Sequence, residues 1–264
     1  LEWDRVTLIF FYKEILLHIL IANFLPGFLR PLFIKIISIF GLSQKRKSMC
    51  FSPEASFAGG VVLISIGVAT VRRTQKPSQL LFAMIPIFFG LQQLAEGFVW
   101  VSLQNPEYFQ IQKVSTMAYL IFAQVFWPAY IPLSVLLMEE NEKRKRILKV
   151  FLVSGIVVFL YYTFCLIYFD VYPQIEHYHI RYYKDFPKFL NNPALAIYLI
   201  STLVPLFIST IKGLRYFGAL MFFSCLVTAI FYTQYLTSVW CFFAAIISVV
   251  IYWIIRDLNR KSVG

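Results

Sequence analysis

The sequence predicts an all-α polytopic transmembrane helix bundle, with seven spanning helices counted from Met49. Three observations predict it. Only 14% of the 264 residues are charged, against 59% hydrophobic and 19% aromatic, whereas soluble domains carry about 25% charge. The apolar residues gather in runs of about twenty, the length a helix needs to cross about 30 Å of hydrocarbon. Lysine and arginine collect in the short stretches between alternate runs, as bilayer orientation requires.

The runs predict spans at 55–71, 80–103, 114–138, 150–169, 193–211, 217–236 and 237–255. The first is rich in small residues, including Ala55, Ser56, Gly59 and Gly60, whose four-residue spacing suits close helix contact. The second, third and fifth contain Pro86, Pro128, Pro132 and Pro205, which should kink these helices and free backbone carbonyls. Almost nothing joins the last two, so a tight turn is expected near Tyr235–Ser238. Residues 49–264 thus form one membrane domain.

Orientation follows from counting cations. One side holds Arg72, Arg73, Lys76, Lys143, Arg144, Lys145, Arg146, Lys149, Lys212, Arg215, Arg256, Arg260 and Lys261, and the other only Lys113, Arg181, Lys184 and Lys188. The Met49 end is therefore expected outside and the carboxyl end in the cytoplasm. Trp100 and Trp240 at outer ends and Trp253 at an inner end read as interfacial anchors, while Trp127 lies deep.

Residues 1–48 read differently. Their apolar stretches are broken by Lys13, Glu14, His18, Arg30 and Lys35, and the first residue is Leu. Lys45, Arg46 and Lys47 before the first span conflict with Arg72 and Arg73 after it. The expectation is a non-native upstream extension, the alternative an amphipathic anchor or extra helix.

A formal charge of +11 raises nucleic acid as a partner, but the basic residues form no face with interleaved aromatics; the expected partner is the lipid bilayer. Four cysteines make no metal-ligand spacing, no serine shares a layer with a histidine, and phosphate-binding glycine loops are absent. No cofactor or metal is expected, and the reading leans away from an enzyme.

The informative stretch is 89–100. Gln92, Glu96 and Trp100 repeat at i, i+4 and i+8, with Gln93 three before Glu96, so they make one polar stripe. Glu96 is the only charged residue deep within a span after Met49, about 10 Å from its outer end. A carboxylate in hydrocarbon costs several kcal/mol and no cation inside a span can pair with it; the stripe must therefore face polar company inside the bundle. At the same depth the topology brings Gln124 and Trp127 from the third span, Tyr161 and Tyr162 from the fourth, Gln234 and Tyr235 from the sixth and Trp240 from the seventh. Together they suggest a polar pocket open to the outside. The structural alternative is that these amides and the acid only bind helices together.

The outer loop 170–192 holds His177, His179 and Tyr182. Histidines two apart share one face of an extended chain, but two in a tyrosine-rich loop more often stand simply at the surface. Cys50 and Cys241 both fall on the outer side and could form a disulfide in an oxidising compartment.

Several of these residues carry a resemblance. Met49-Cys50-Phe51-Ser52 with Ala55-Ser56-Phe57, Gly90-Leu91-Gln92-Gln93 with Glu96-Gly97 and Trp100, Trp127-Pro128, His179-Ile180 with Tyr182, and Val239-Trp240-Cys241-Phe242-Phe243-Ala244-Ala245 resemble an uncharacterised bacterial family of multi-pass membrane proteins. The likeness covers 49–255. It implies a start at Met49 and location in the bacterial inner membrane, and it implies no activity. Members often carry His where Gln124 stands, a departure that argues against a shared metal or proton-relay role. The seven-helix plan is also similar to membrane hydrolases such as alkaline ceramidases, but their histidines within the helices have no counterpart here.

Three functions are then expected in order: binding or transport of a small solute around Glu96; a membrane-embedded enzyme acting on lipid; and a sensor or assembly partner working through loop 170–192.

Overall fold

In a computed structural model, which describes residues 52–176 and 179–263, seven helices are long and apolar enough to cross a membrane. The upstream segment 1–48 lies outside the described residues.

Helix α1 (Pro53–Val71) starts where its sequence dictates. Ser52 is extended and its Oγ accepts from Ala55 N at 3.3 Å, Pro53 opens the helix, and Glu54 faces the positive helix end. Its buried stripe is Ser56, Gly60, Leu63, Gly67 and Thr70, against which α2 (Leu80–Gln104) lies. A Cβ on Gly60 would stand 2.7 Å from Leu94 and 3.0 Å from the Gly90 carbonyl, whereas one on Gly59 would meet nothing. The close seam therefore runs through Ser56, Gly60 and Gly67, where a Cβ would fall 2.4 Å from Ile87, and not through Ala55 and Gly59 as well.

The third span is broken. α3 (Phe109–Leu120) passes into a π-helical turn (Ile121–Phe126) and then α4 (Trp127–Met138). Pro128 has no N–H to give the carbonyl five residues back, Ala123; the Tyr198 hydroxyl donates to that oxygen instead, at 2.8 Å. In α2 the Leu81 carbonyl also accepts a tyrosine hydroxyl, from Tyr130 at 2.7 Å. The carbonyl that Pro128 frees is thus served by a tyrosine of a neighbouring span.

Helix α5 (Glu142–Tyr168) begins well before the predicted 150. Asn141 caps it, accepting from Arg144 N at 3.2 Å, and the basic run forms its first turns. Lysine and arginine are good helix formers, and hydropathy does not register a helix continuing into water. Gly155 abuts α4 so closely that a Cβ would fall 1.9 Å from the Pro128 carbonyl.

The stretch expected as a loop contains a hairpin. β1 (Val171–Glu176) and β2 (His179–Lys184) pair antiparallel, from Val171 opposite Lys184 to Glu176 opposite His179. Tyrosine and β-branched residues at alternate positions favour this pleated form. α6 (Lys188–Ile208) follows, then α7 (Lys212–Phe231), a 3-10 turn (Thr233–Tyr235), α8 (Leu236–Ser248) and α9 (Val250–Val263). The tight turn before the last span thus falls just ahead of its expected place.

The second, third and seventh spans form the centre, each more than half buried. The others expose apolar side chains such as Val150, Val153, Leu160 and Ile167, the surface a bilayer would cover. At the basic end the loops lock together: Arg144 donates to the Ile208 carbonyl, Arg215 Nε to Ser209 O at 3.2 Å, and Asn259 to Arg73 O at 2.5 Å. Trp253 is well exposed, but Trp100 and Trp240 are buried along with Trp127. The expectation that Trp100 and Trp240 anchor at the interface is therefore corrected: both lie on faces turned into the bundle.

Candidate functional site

The inner face of α2 presents Gln92, Gln93, Glu96 and Trp100, all buried, with Glu96 only 2% exposed. Three- and four-residue spacing puts them on one side of the helix. One Glu96 oxygen accepts from Ser238 Oγ at 2.5 Å and the other from Gln93 Nε2 at 3.5 Å. Ser238 stands in the first turn of α8. Tyr119, near the end of α3, has its hydroxyl within reach of the same carboxylate and donates to the Thr237 carbonyl at 3.2 Å. Three spans converge on one acid, whose carboxylate faces neither the surrounding bilayer nor bulk solvent.

One turn earlier, Gln92 Oε1 accepts from Trp127 Nε1 at 2.9 Å, and Trp127 stacks on Phe89 with ring centres 4.1 Å apart. These two rings, with Tyr198, Phe217, Trp240 and Cys241, help line a cavity of about 20 Å³, room for one water-sized molecule. Around the carboxylate and this cavity several buried atoms have no hydrogen-bond partner among the described residues: Gln92 Nε2, Gln93 Oε1, Tyr182 OH and Trp240 Nε1. Each such group costs about 1–3 kcal/mol if left unpaired. Donors and acceptors are both represented.

The hairpin closes this end of the bundle. Strand periodicity sends Ile180, Tyr182 and Lys184 to one face of β2. Ile180 and Tyr182 are buried, and the Tyr182 ring stacks on Tyr119 at 4.9 Å with planes 12° apart. Lys184 is half-buried, and desolvation pushes it down to about 8. The opposite face is a latch built on Glu176. It accepts from Tyr183, from Arg181 at 3.3 Å and from Tyr235 at 3.3 Å. The Tyr183 bond leads in holding its carboxyl below the usual range, with Arg181 and Tyr235 adding to it. Arg181 also donates to Gln234 at 3.3 Å, and the His179 ring packs 4.9 Å from that of Tyr235.

The residues expected to share a pocket therefore divide. Glu96, Gln92, Gln93, Trp127, Trp240 and Cys241 come together, with Trp100 buried farther along α2. Gln124 is buried in the π-helical turn with an unspent carbonyl and no bond to Glu96. Gln234 is exposed and, with Tyr235, belongs to the latch. Tyr182 enters the cluster from the hairpin, while His179 stays with the latch and His177 lies outside the described residues. Cys241 is a buried free thiol; Cys50, its expected partner, also lies outside the described residues. No three His, Cys, Asp or Glu side chains come together to hold a metal among the described residues.

Sequence reasoning missed Ser238, Tyr119 and Lys184. The alternation Ile180, Tyr182, Lys184 carried a strand signal that could have found the lysine. Ser238 and Tyr119 carry none, since an interior serine or tyrosine in an apolar run has no distinguishing pattern.

No curated protein and no solved structure matches the chain. A model described as a family of unknown function (DUF6629) matches residues 49–263, which takes in every spanning helix and the hairpin. The chain belongs to that family.

Proposed function

We propose that this membrane protein binds a small polar solute, for recognition or transport, in a site between the spans centred on Glu96 and covered by the hairpin. The observation that carries the reading is the buried carboxylate among four buried atoms with unspent hydrogen-bonding capacity. A cluster that only fastened helices would spend its donors and acceptors on one another, because each left over opposes folding. The π-helical turn beside Gln124 and Trp127 adds to this, as such turns recur where a helix is shaped for a ligand. The excess of basic residues at the opposite end supports an orientation with the hairpin outside and the basic loops in the cytoplasm.

The test compares wild type with Glu96→Gln in lipid nanodiscs, measuring thermal stabilisation by a panel of small sugars, amines, carboxylates and amino acids. A solute that stabilises wild type and not the variant, at equal folded yield, supports the reading. If Glu96→Gln lowers only the yield and no solute acts on either protein, the cluster is structural.

A further inference from the structure

The first turns of α5 carry Lys143, Arg144, Lys145, Arg146 and Lys149. Two of these are spent within the chain: Arg144 donates to the Ile208 carbonyl, and Lys145 pairs with Glu142 at 2.8 Å. Lys143, Arg146 and Lys149 are exposed, and among the described residues none of them makes a hydrogen bond or ion pair. Glu142, the one acid in these turns, is engaged by Lys145 and feels Arg146 and Lys149 only through their fields.

The three free cations stand at the head of a particular face. Alternating three- and four-residue steps lead from Lys143 and Arg146 to Val150, Val153, Val157, Leu160, Phe164 and Ile167, and all six apolar side chains are exposed. Lys149 flanks this row, one turn before Val153. From Val150 to Tyr168 the helix rises about 27 Å, close to the thickness of about 30 Å that hydrocarbon requires. Lys149 therefore lies at the hydrocarbon edge. Arg146 lies about 6 Å beyond Val150, at headgroup depth, and Lys143 one turn farther out. A basic run that served only to orient the chain would need no particular face.

We propose that this face holds an anionic phospholipid, its phosphate among Arg146, Lys149 and Lys143 and its acyl chains along Val150, Val153 and Val157. The guanidinium offers a fork for phosphate oxygens and the lysines add point charges. A lipid whose headgroup carries its own ammonium gains less from the same cations.

The experiment is native mass spectrometry of the full chain in detergent, titrated with phosphatidylglycerol and phosphatidylcholine of the same acyl chains. The first phosphatidylglycerol should bind about fivefold or more tightly than the first phosphatidylcholine. Replacing Lys143, Arg146 and Lys149 together by Gln should bring that ratio near one, and Lys143→Arg with Lys149→Arg should keep it. Replacing Arg72, Lys212 and Arg260 by Gln removes as much charge from exposed positions on other helices and should leave most of the preference. If the triple variant of α5 folds poorly, Arg146→Gln alone should still lower the ratio at least twofold. The proposal is overturned if wild type shows no preference, or if both triple variants lose it equally, which would mark diffuse charge. It is also overturned if excess glycerol 3-phosphate displaces the lipid, which would mark a site for soluble phosphate.

Discussion

Two carboxylates, Glu96 and Glu139, are equally buried, each 2% exposed, and they sit in opposite circumstances. Glu139 follows α4 at the basic end and accepts from Thr210 N at 2.8 Å, Thr210 Oγ1 at 2.9 Å and Asn141 N at 3.0 Å. Burial alone would raise its pKa, but these donors outweigh burial and hold it below the ordinary value. It ties the start of α5 to the turn between α6 and α7, and its surroundings are satisfied. Glu96 has one short bond, one stretched bond and neighbours with capacity to spare. Burial therefore does not by itself mark a site. What distinguishes the two is whether the donors are used up by the fold.

The sharpest way to break the comparison is to remove each acid. Glu139→Ala strips three bonds to a charged acceptor and should cost about 2–4 kcal/mol, read as a fall in Tm, with solute response of the surviving fold unchanged. Glu96→Gln keeps an acceptor for Ser238 and should cost less than about 1 kcal/mol while abolishing that response. A Glu96→Gln protein as unstable as Glu139→Ala would erase the distinction. Ser238→Ala removes the short bond alone and should cost about 1 kcal/mol, with solute affinity reduced rather than lost.

The smallest effect concerns pH. Glu176 and Glu139 both have folded pKa values below the usual carboxylate range, so each contributes stability above that range that is lost as pH falls through the folded value. Lys184 has the same sign in a higher window, because closing the hairpin disfavours its charge; closure should strengthen as pH rises from about 8 toward 10.5. Limited proteolysis of the hairpin should therefore accelerate in acid. Glu176→Gln should remove most of that acceleration while the unfolding of the basic end keeps the dependence due to Glu139.

The spans were legible because hydrocarbon thickness imposes a length, and the sharing of one end by the basic loops was legible because charge alternates between loops. The polar stripe on α2 was legible for the same kind of reason: a carboxylate in an apolar run is conspicuous, and helical spacing shows which residues share its face. The hairpin was hidden because loop 170–192 was read for its histidines and not for its alternation. The true partners of Glu96 were hidden more deeply. Ser238 and Tyr119 are ordinary in their own segments, and only packing of three spans selects them. Trp100 and Trp240 misled because position near a span end does not reveal which way a ring faces. Gln234 misled likewise, since similar depth in the chain pattern did not place it at the same layer.

Accessibility of Cys241 tests the Glu96 site most directly, since this thiol lines the cavity and feels the carboxylate. With Cys50, Cys165 and Cys225 replaced by alanine, a small water-soluble thiosulfonate is applied to the reconstituted protein with and without the solutes that stabilise it. A solute site beneath a hairpin lid predicts slow labelling from the hairpin side, further slowed by bound solute and hastened by Glu176→Gln. A Cys241 that reacts only after denaturation, whatever the solute or the state of the latch, would contradict it.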